Sequence, residues 1–404
     1  MKRTKVGVIG CGPRSQGSTI KNILNIKEYQ LTAISDKYEP LMRKTVEVHK
    51  DKIGDVKLYR DSSKMLKEAD IDAAFVVVEP ENNAALVCES LSAGKHTYCD
   101  VPLAMTLEDC WRIVVAVEKS GLKFMLGEQS RYSPKIQAWT RMVREGRLGK
   151  IVYAQGEYLH GMGADRYFMD AETGERIHYA EAFKGRKSVK SRFWKLKHPI
   201  HYLPHELSPL LKVIDDRVTR VSCIGTRSDK SYVYDWFPMA DMEVALMHTE
   251  KDVLMRMAAG FTIDTMKKGE SNTHWKHVMG TKGVLEQGRD PRSMEGQVYL
   301  EDEFMSPSAP ARMTWEFNPR EVSREILASG HGGIDYWPYN DFSKWLLDDK
   351  YDTAELLTVY KAAETAAPAA LAGLSAENKG EWFDVPDFRP GKNRKKGQMP
   401  SKED

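Results

Sequence analysis

Val6-Gly7-Val8-Ile9-Gly10-Cys11-Gly12-Pro13-Arg14-Ser15-Gln16-Gly17 decides how the rest of the chain is read. Val6, Val8 and Ile9 form a short apolar run suited to a buried parallel strand, and Gly10-x-Gly12 turns the chain tightly into a helix start. With no Cβ at either glycine, a pyrophosphate can approach bare N–H groups and meet the positive end of the helix dipole. The third small position of the dinucleotide fingerprint holds Ser15, with Gly17 two residues on. A second apolar run, 31–35, ends at Asp36, roughly 20-odd residues downstream, where a carboxylate accepts hydrogen bonds from an adenosine ribose. That carboxylate would repel a 2′-phosphate, so the expected cofactor is NAD rather than NADP. A plain turn at the glycines and a plain helix cap at Asp36 are the alternative reading.

Outward from this stretch, strand and helix patterns alternate from Lys5 to about Gly127, which predicts a parallel sheet covered on both faces. Ala73-Ala74-Phe75-Val76-Val77-Val78 is the plainest buried strand. Glu79-Pro80-Glu81-Asn82-Asn83 follows as a loop at the carboxyl edge, where such sheets bind ligands. A helix over 84–93 stops at Gly94, a strand covers 96–99, and Thr106 with Asp109 caps a helix over 107–119. A strand over 122–127 delivers Glu128 to the same edge.

After a helix over 134–145 the grammar changes. Strands over 151–159, 218–226, 242–249, 253–262, 274–280 and 298–301, with few helices between them, predict an open, mainly antiparallel sheet. The expected fold class is α/β. Residues 1–127 form a Rossmann doubly wound parallel sheet, and 128–388 form an α/β domain on the open sheet. Residues 163–190 are long, charged and poorly periodic, reading as a flap or lid. Helices are expected over 335–348 and 353–374, with Pro368 marking a kink in the second. Residues 389–404, almost without apolar side chains, read as a solvated disordered tail.

A chain of 404 residues accommodates two domains. The 60 Lys and Arg against 58 Asp and Glu give a formal net charge of +2, which argues against a dedicated nucleic-acid binder. No apolar run reaches the roughly 20 residues needed to span a bilayer. The first strand begins too early for a secretory segment, so a cytoplasmic location is expected, with a leader removed ahead of the numbering left open. Cys11, Cys88, Cys99, Cys110 and Cys223 show no paired C-x-x-C spacing and read as reduced, mostly buried thiols.

Titratable groups concentrate at His198-Pro199-Ile200-His201-Tyr202-Leu203-Pro204-His205-Glu206. Pro204 suits a first helical turn, which places Tyr202 in the approach and His205 at the helix start. A helix N-terminus disfavours imidazolium and would hold His205 neutral, ready to accept a proton. A partly buried structural histidine is the alternative. A metal site through His201 and His205 is not expected, because Pro204 disturbs the helix and no carboxylate triad accompanies them.

The chain resembles the Gfo/Idh/MocA oxidoreductases over most of its length. The resemblance rests on V-G-V-I-G-C-G, the strand-ending Asp36, A-G-K-H-T-Y-C-D-V-P over 93–102 and the His-bearing helix start. Within that family it is most similar to the NAD-dependent glycosidases of the alpha-N-acetylgalactosaminidase group. The shared features are D-V-P at Asp100–Pro102, Glu128 after M-L-G, Tyr158-Leu159-His160, Tyr202-x-x-His205 and G-H-G-G-I-D over 330–335. The resemblance implies NAD held around Gly10, Gly12, Pro13, Arg14, Asp36, Glu79, Asp100 and Pro102. It nominates His205, Tyr202, Tyr158, His160 and Glu128 for catalysis, with no metal, on a small sugar or glycoside. No nucleic-acid or membrane partner is expected, and homo-oligomerisation is left open.

Three departures bear on the chemistry. Asp100-Val101-Pro102 stands where most family dehydrogenases carry E-K-P, so the lysine that helps deprotonate a substrate hydroxyl is missing. His201 occupies a place often held by Asp, and Glu79-Pro80-Glu81-Asn82-Asn83-Ala84 replaces T-P-N-x-x-H. The expected activity is NAD-dependent oxidation of a ring hydroxyl, at C3, of a sugar or glycoside. The alternatives are a redox-neutral NAD-dependent glycosidase and a non-catalytic sugar or nucleotide sensor. His205 is the expected base on the hydroxyl, Tyr158 or Tyr202 a second base, and Glu128 and His160 orient or protonate the leaving group. Trp194, Tyr336 and Trp337 offer flat faces to a sugar or simply pack. Lys184, Arg186, Lys187, Lys190 and Arg192 read an acidic sugar or form a wet surface.

Overall fold

The computed structural model describes residues 3–160, 167–170, 172–178, 189–191, 196–226, 239–261, 272–289, 295–301, 311–314, 322–391 and 394–400. Trp194 and the basic positions Lys184, Arg186, Lys187 and Arg192 lie outside the described residues, as does the side chain of Lys190.

Six strands make the first sheet: β1 (Thr4–Ile9), β2 (Tyr29–Ser35), β3 (Lys57–Tyr59), β4 (Ala73–Val76), β5 (His96–Asp100) and β6 (Phe124–Gly127). They are all parallel in the order β3-β2-β1-β4-β5-β6. The chain reverses its winding between β1 and β4, and the crevice at that switch point is where such sheets take nucleotides. Val6, Val8, Ala73 and Phe75 are all fully buried, as a sheet covered on two faces requires.

The core of this half is completed from far along the chain. Tyr339 and Phe342, on the helix Tyr336–Leu347, pack against Phe75 with centroids 6.1 and 5.8 Å away, and Tyr339 stacks on Tyr98 at 4.8 Å. Trp337 is buried on the same helix, so packing accounts for it.

Two expected boundaries shift for local reasons. Residues 79–83 are not a loop: Pro80 occupies the first helical position and the helix runs Pro80–Ser92 with Glu79 as its N-cap. The last long helix is Val359–Glu377 and begins later than expected, because the Leu357 carbonyl accepts from Leu126 N–H at 2.9 Å beside β6.

The second sheet has nine strands: β7 (Ile151–His160), β11 (Val218–Gly225), β12 (Met242–Thr249), β13 (Leu254–Gly260), β14 (Asn272–Gly280), β15 (Gly283–Gln287), β16 (Glu295–Leu300), β17 (Ala311–Thr314) and β18 (Phe383–Asp384). Their order is β17-β16-β15-β14-β7-β13-β12-β11-β18, antiparallel except for the parallel pair β7 and β13. In and just beyond 163–190, three short strands, β8 (Tyr167–Asp170), β9 (Arg176–His178) and β10 (Val189–Ser191), form a small antiparallel sheet in the order β10-β8-β9. A Cβ on Gly174, at the β8–β9 turn, would stand 2.3 Å from the Tyr38 ring, so this arm reaches the end of β2.

The helix Pro204–Ile214 lies on the sheet face that carries Tyr158, His274 and Lys276. It can approach because position 156 is glycine: a Cβ there would meet Met257 at 2.7 Å and Glu206 at 3.1 Å. The expectation of a wholly solvated tail is corrected over 394–400. Arg394 is buried, donates to both oxygens of Glu118 and lies 5.0 Å over the Trp111 ring. Burial of one guanidinium against a buried carboxylate orders a segment whose composition offers no apolar anchor. All five cysteines are free thiols, four of them buried, and no described helix is long and apolar enough to cross a membrane.

Candidate active site

The glycine turn after β1 is shaped by two different demands. Gly10 has φ 99°, and a Cβ on it would fall 2.1 Å from the Val77 carbonyl oxygen, so no side chain fits. At Gly12 a Cβ would meet nothing within 4 Å, leaving its backbone open to an approaching group. Asp36, at the carboxyl end of β2, accepts from Cys11 N–H at 2.7 Å and Tyr38 N–H at 2.9 Å, which fixes its carboxylate above the turn. Burial pushes Asp36 above the usual carboxylate range, and those two N–H groups oppose the shift without cancelling it. Glu79 lies close enough for its charge to add to this rise. The open Gly12 backbone and the fixed acid suit a dinucleotide: Gly12 would admit the pyrophosphate and Asp36 would hold the adenosine ribose.

Arg14 and Asp100, both expected at the cofactor, pair with each other. Arg14 Nε donates to Asp100 Oδ2 at 3.0 Å, and Nη1 donates to Asp335 Oδ2 at 2.8 Å. Asp335 also accepts from Ser18 Oγ at 2.8 Å and lies 2.8 Å from His331 Nδ1. Burial acts to raise Asp335, yet Arg14 and His331 outweigh it and hold the carboxyl at about 2. The glycine turn, the end of β5 and the loop 330–335 are thereby tied together. Pro102 follows a cis bond, and its carbonyl accepts from Asn83 Nδ2 at 2.7 Å.

The proton-handling residues gather on the other side of the site. Glu128, directly after β6, is almost fully buried; its Oε1 accepts from Ser130 N–H at 2.7 Å, and its Oε2 lies 2.7 Å from His205 Nδ1. Tyr158 stacks on His205 with centroids 5.1 Å apart and planes 17° apart, and lies parallel to Tyr202 at 6.2 Å. His160 packs on Tyr158 at 4.4 Å and on Phe261 at 5.6 Å. All five catalytic candidates thus lie within one cluster.

The expected reason for His205 to be neutral is corrected. Burial does push its imidazole down, but the adjacent Glu128 carboxylate, with Asp100, outweighs it and raises the imidazole above the ordinary value. Glu128 in turn sits below the usual carboxylate range despite its burial, because of His205 and the Ser130 N–H. His198 and His201 belong to a different group. His198 Nδ1 lies 2.6 Å from Glu243 Oε1, and His201, 5.4 Å from the His198 ring, is pushed down to about 3 by burial.

Comparison with known proteins places this geometry in a family. Residues 4–128 match the model of the oxidoreductase family with an NAD-binding Rossmann fold, and residues 132–395 match the C-terminal domain of glycosyl hydrolase 109. The chain belongs to glycosyl hydrolase family 109. A family 109 protein of Shewanella sp. (strain W3-18-1) is 25% identical to it over 97% of this chain and 86% of the relative. Among solved structures, an oxidoreductase domain protein from Kribbella flavida superimposes with TM-score 0.73 at 17% identity, covering 96% of this chain and all 100% of the other. The scyllo-inositol dehydrogenase of Lactobacillus casei, solved with NAD(H) and scyllo-inositol, gives TM-score 0.69 at 17% identity over 95% of this chain and 99% of that one. This family 109 chain is therefore an enzyme with an NAD-binding Rossmann domain and the Gfo/Idh/MocA architecture.

Sequence reading missed one buried group that packs against this cluster. Glu206 is fully buried and pairs through Oε1 with His274 Nδ1 and through Oε2 with Lys276 Nζ at 2.5 Å. His274 stands edge-on to Tyr158 at 5.0 Å and to His160 at 5.4 Å. The available signal was the two-residue spacing of His274 and Lys276, which puts both on one face of β14. Lys135, with its charge facing Lys276 and Glu206, is pushed down to about 7 mainly by burial.

Proposed function

We propose that the chain oxidises the C3 hydroxyl of a glycoside as the opening step of a redox-neutral cleavage of the glycosidic bond. The observation that carries this reading is the His205–Glu128 pair beneath Tyr158, in a chain that has Val101 where a dehydrogenase lysine would stand. Bound NAD would accept a hydride from the sugar carbon and return it at the end of the cycle. With Nδ1 facing Glu128, His205 has Nε2 left to take the hydroxyl proton, and the carboxylate stabilises the imidazolium that forms.

The new ketone acidifies the neighbouring C2–H, so that elimination of the C1 substituent and addition of water can follow. Tyr158 and Tyr202 line this site, and His160 backs Tyr158. Glu128 acts through His205 as a positioning residue. Gly10, Gly12, Pro13, Asp36 and Glu79 border the dinucleotide side, with Arg14, Asp100 and Pro102 tying its walls.

A second reading, plain sugar dehydrogenation, draws on the fold shared with the scyllo-inositol dehydrogenase. One experiment separates the two: incubate the protein with NAD and a panel of 4-nitrophenyl glycosides and free sugars, following NADH absorbance and nitrophenol release together. Nitrophenol release without lasting NADH accumulation is the expected result. NADH accumulation with no aglycone release would establish the dehydrogenase instead, and NAD binding with neither signal a sensor.

A further inference from the structure

Resting on the glycosidase reading, the geometry points to His274 as the second proton-transfer residue of this site, the base for the C2–H proton beside the new ketone. His205 and Glu206 are consecutive in the first turn of the helix Pro204–Ile214, and side chains one residue apart leave a helix in directions about 100° apart. His205 meets Glu128 on one side, and Glu206 meets β14 on the other. Two histidine–carboxylate pairs result, and both imidazoles pack on the ring of Tyr158, one stacked at 5.1 Å and one edge-on at 5.0 Å.

A carboxylate only accepts hydrogen bonds, so His274 Nδ1 carries the proton that Glu206 Oε1 receives, and Nε2 carries the lone pair. Nε2 makes no hydrogen bond among the described residues, and the side chain is 36% exposed. It has a proton acceptor to offer and room to offer it.

The charges around the two imidazoles push them apart. Burial lowers His274 and Glu206 opposes it, but the charges of Lys276 and His205 add to the fall. His274 therefore lies below the ordinary imidazole value, while Glu128 raises His205 above it. The other groups facing His274 are Tyr158 and His160 on β7, and Lys135 bears on Lys276 and Glu206 from the helix Pro134–Arg144. Paired titratable groups with environments of opposite sense mark an acid and a base. A phenol, with an ordinary value of about 10, is a far poorer base near neutrality than a neutral imidazole.

In the step itself, His274 Nε2 takes the proton from C2 and the C–H electron pair becomes the C1–C2 double bond. The C1–O pair leaves with the aglycone, which takes a proton from water. The resulting hydroxide adds to C1, and the proton on Nε2 returns to C2. Return of the hydride to C3 and of the His205 proton to the oxygen restores the hydroxyl.

The test compares the wild type with His274→Gln in D2O, using 4-nitrophenyl N-acetyl-α-D-galactosaminide and acetamido-free 4-nitrophenyl glycosides as probes. The variant should bind NAD and give the single-turnover burst of NADH absorbance as the wild type does. It should lose deuterium incorporation at C2 and nitrophenol release by about 100-fold or more. Undiminished exchange in the variant overturns the proposal alone, and so does loss of the burst together with exchange. A wild type that exchanges nothing with any probe removes the glycosidase reading and this inference with it. An independent check is the NMR titration of the wild-type imidazole whose signal vanishes in the variant: it should titrate below the ordinary value, and titration above it overturns the assignment.

Discussion

Two buried glutamates ten residues apart in sequence, Glu118 and Glu128, each meet a cation, and they end in opposite states. Glu118 is saturated: it accepts from Arg394 Nη2 at 2.7 Å and Nη1 at 2.8 Å, from Tyr360 Oη at 2.7 Å and from Gly397 N–H at 2.6 Å. Burial acts against its charge, and these donors still hold it at about 2. Nothing is left over for a ligand. Glu128 accepts from the Ser130 N–H and pairs with His205, whose Nε2 makes no hydrogen bond among the described residues. A filled carboxylate fastens the chain, whereas a partly filled one passes its charge to a group that can still react.

The largest expected effect breaks the open pair. His205→Ala should lower kcat by about 10²–10⁴, the usual contribution of a positioned acid–base group, while NAD affinity measured by fluorescence stays within error. Steady-state kinetics on whichever glycoside the substrate panel identifies would check this. Retained turnover would mean that the pair, like the one at Glu118, only holds structure.

Arg394→Ala breaks the filled pair and should act in the other currency. Glu118 would be left without its cation, at a cost of about 3 kcal/mol, at the lower end of the range for such pairs because Lys395, Lys396, Gln398 and Met399 beside it are exposed. Urea denaturation should show that loss, with turnover per folded molecule unchanged. A fall in turnover without a fall in stability would contradict the contrast.

Sequence made one of these pairs half visible and hid the other. Gly10, Asp36 and the strand pattern around them are local, because a turn, a buried run and an acid follow each other within one strand–helix–strand unit. His205 was also legible, since Pro204 fixes a helix start wherever the rest of the chain lies. Its charge state was not: that depends on Glu128, which comes from the end of β6 in a different sheet, and only tertiary folding brings the two to 2.7 Å. The same holds for His274, whose partner Glu206 is distant in sequence, and for Arg394, which a polar composition marks as solvated until Glu118 and Trp111 are placed around it. The hairpin strands within 163–190 were missed because their apolar contribution is only a few residues, Phe168 and Ile177 among them.

The smallest expected effect sharpens the comparison by removing charge and keeping shape. In Glu128→Gln the amide oxygen can still accept from Ser130 N–H, but His205 loses the carboxylate that lifts its pKa, and burial then acts unopposed. The imidazole should fall from above its ordinary value to below it. Because the base works when neutral, the acid limb of kcat/KM should move to lower pH, while the plateau falls because a weaker base accepts the proton less readily. Stability should change with the opposite sense. A raised histidine contributes fully below its unfolded value and loses that contribution as pH rises through its folded value, while a lowered carboxylate contributes above its own unfolded value. The wild type should therefore exceed the variant most between about pH 4.3, the ordinary glutamate value, and about pH 6.5, the ordinary histidine value, with the margin closing below that window and on the way up to the raised value of His205. A pH series of denaturation curves on both proteins measures that margin, and an acid limb that stays in place would show that Glu128 does not set the proton affinity of His205.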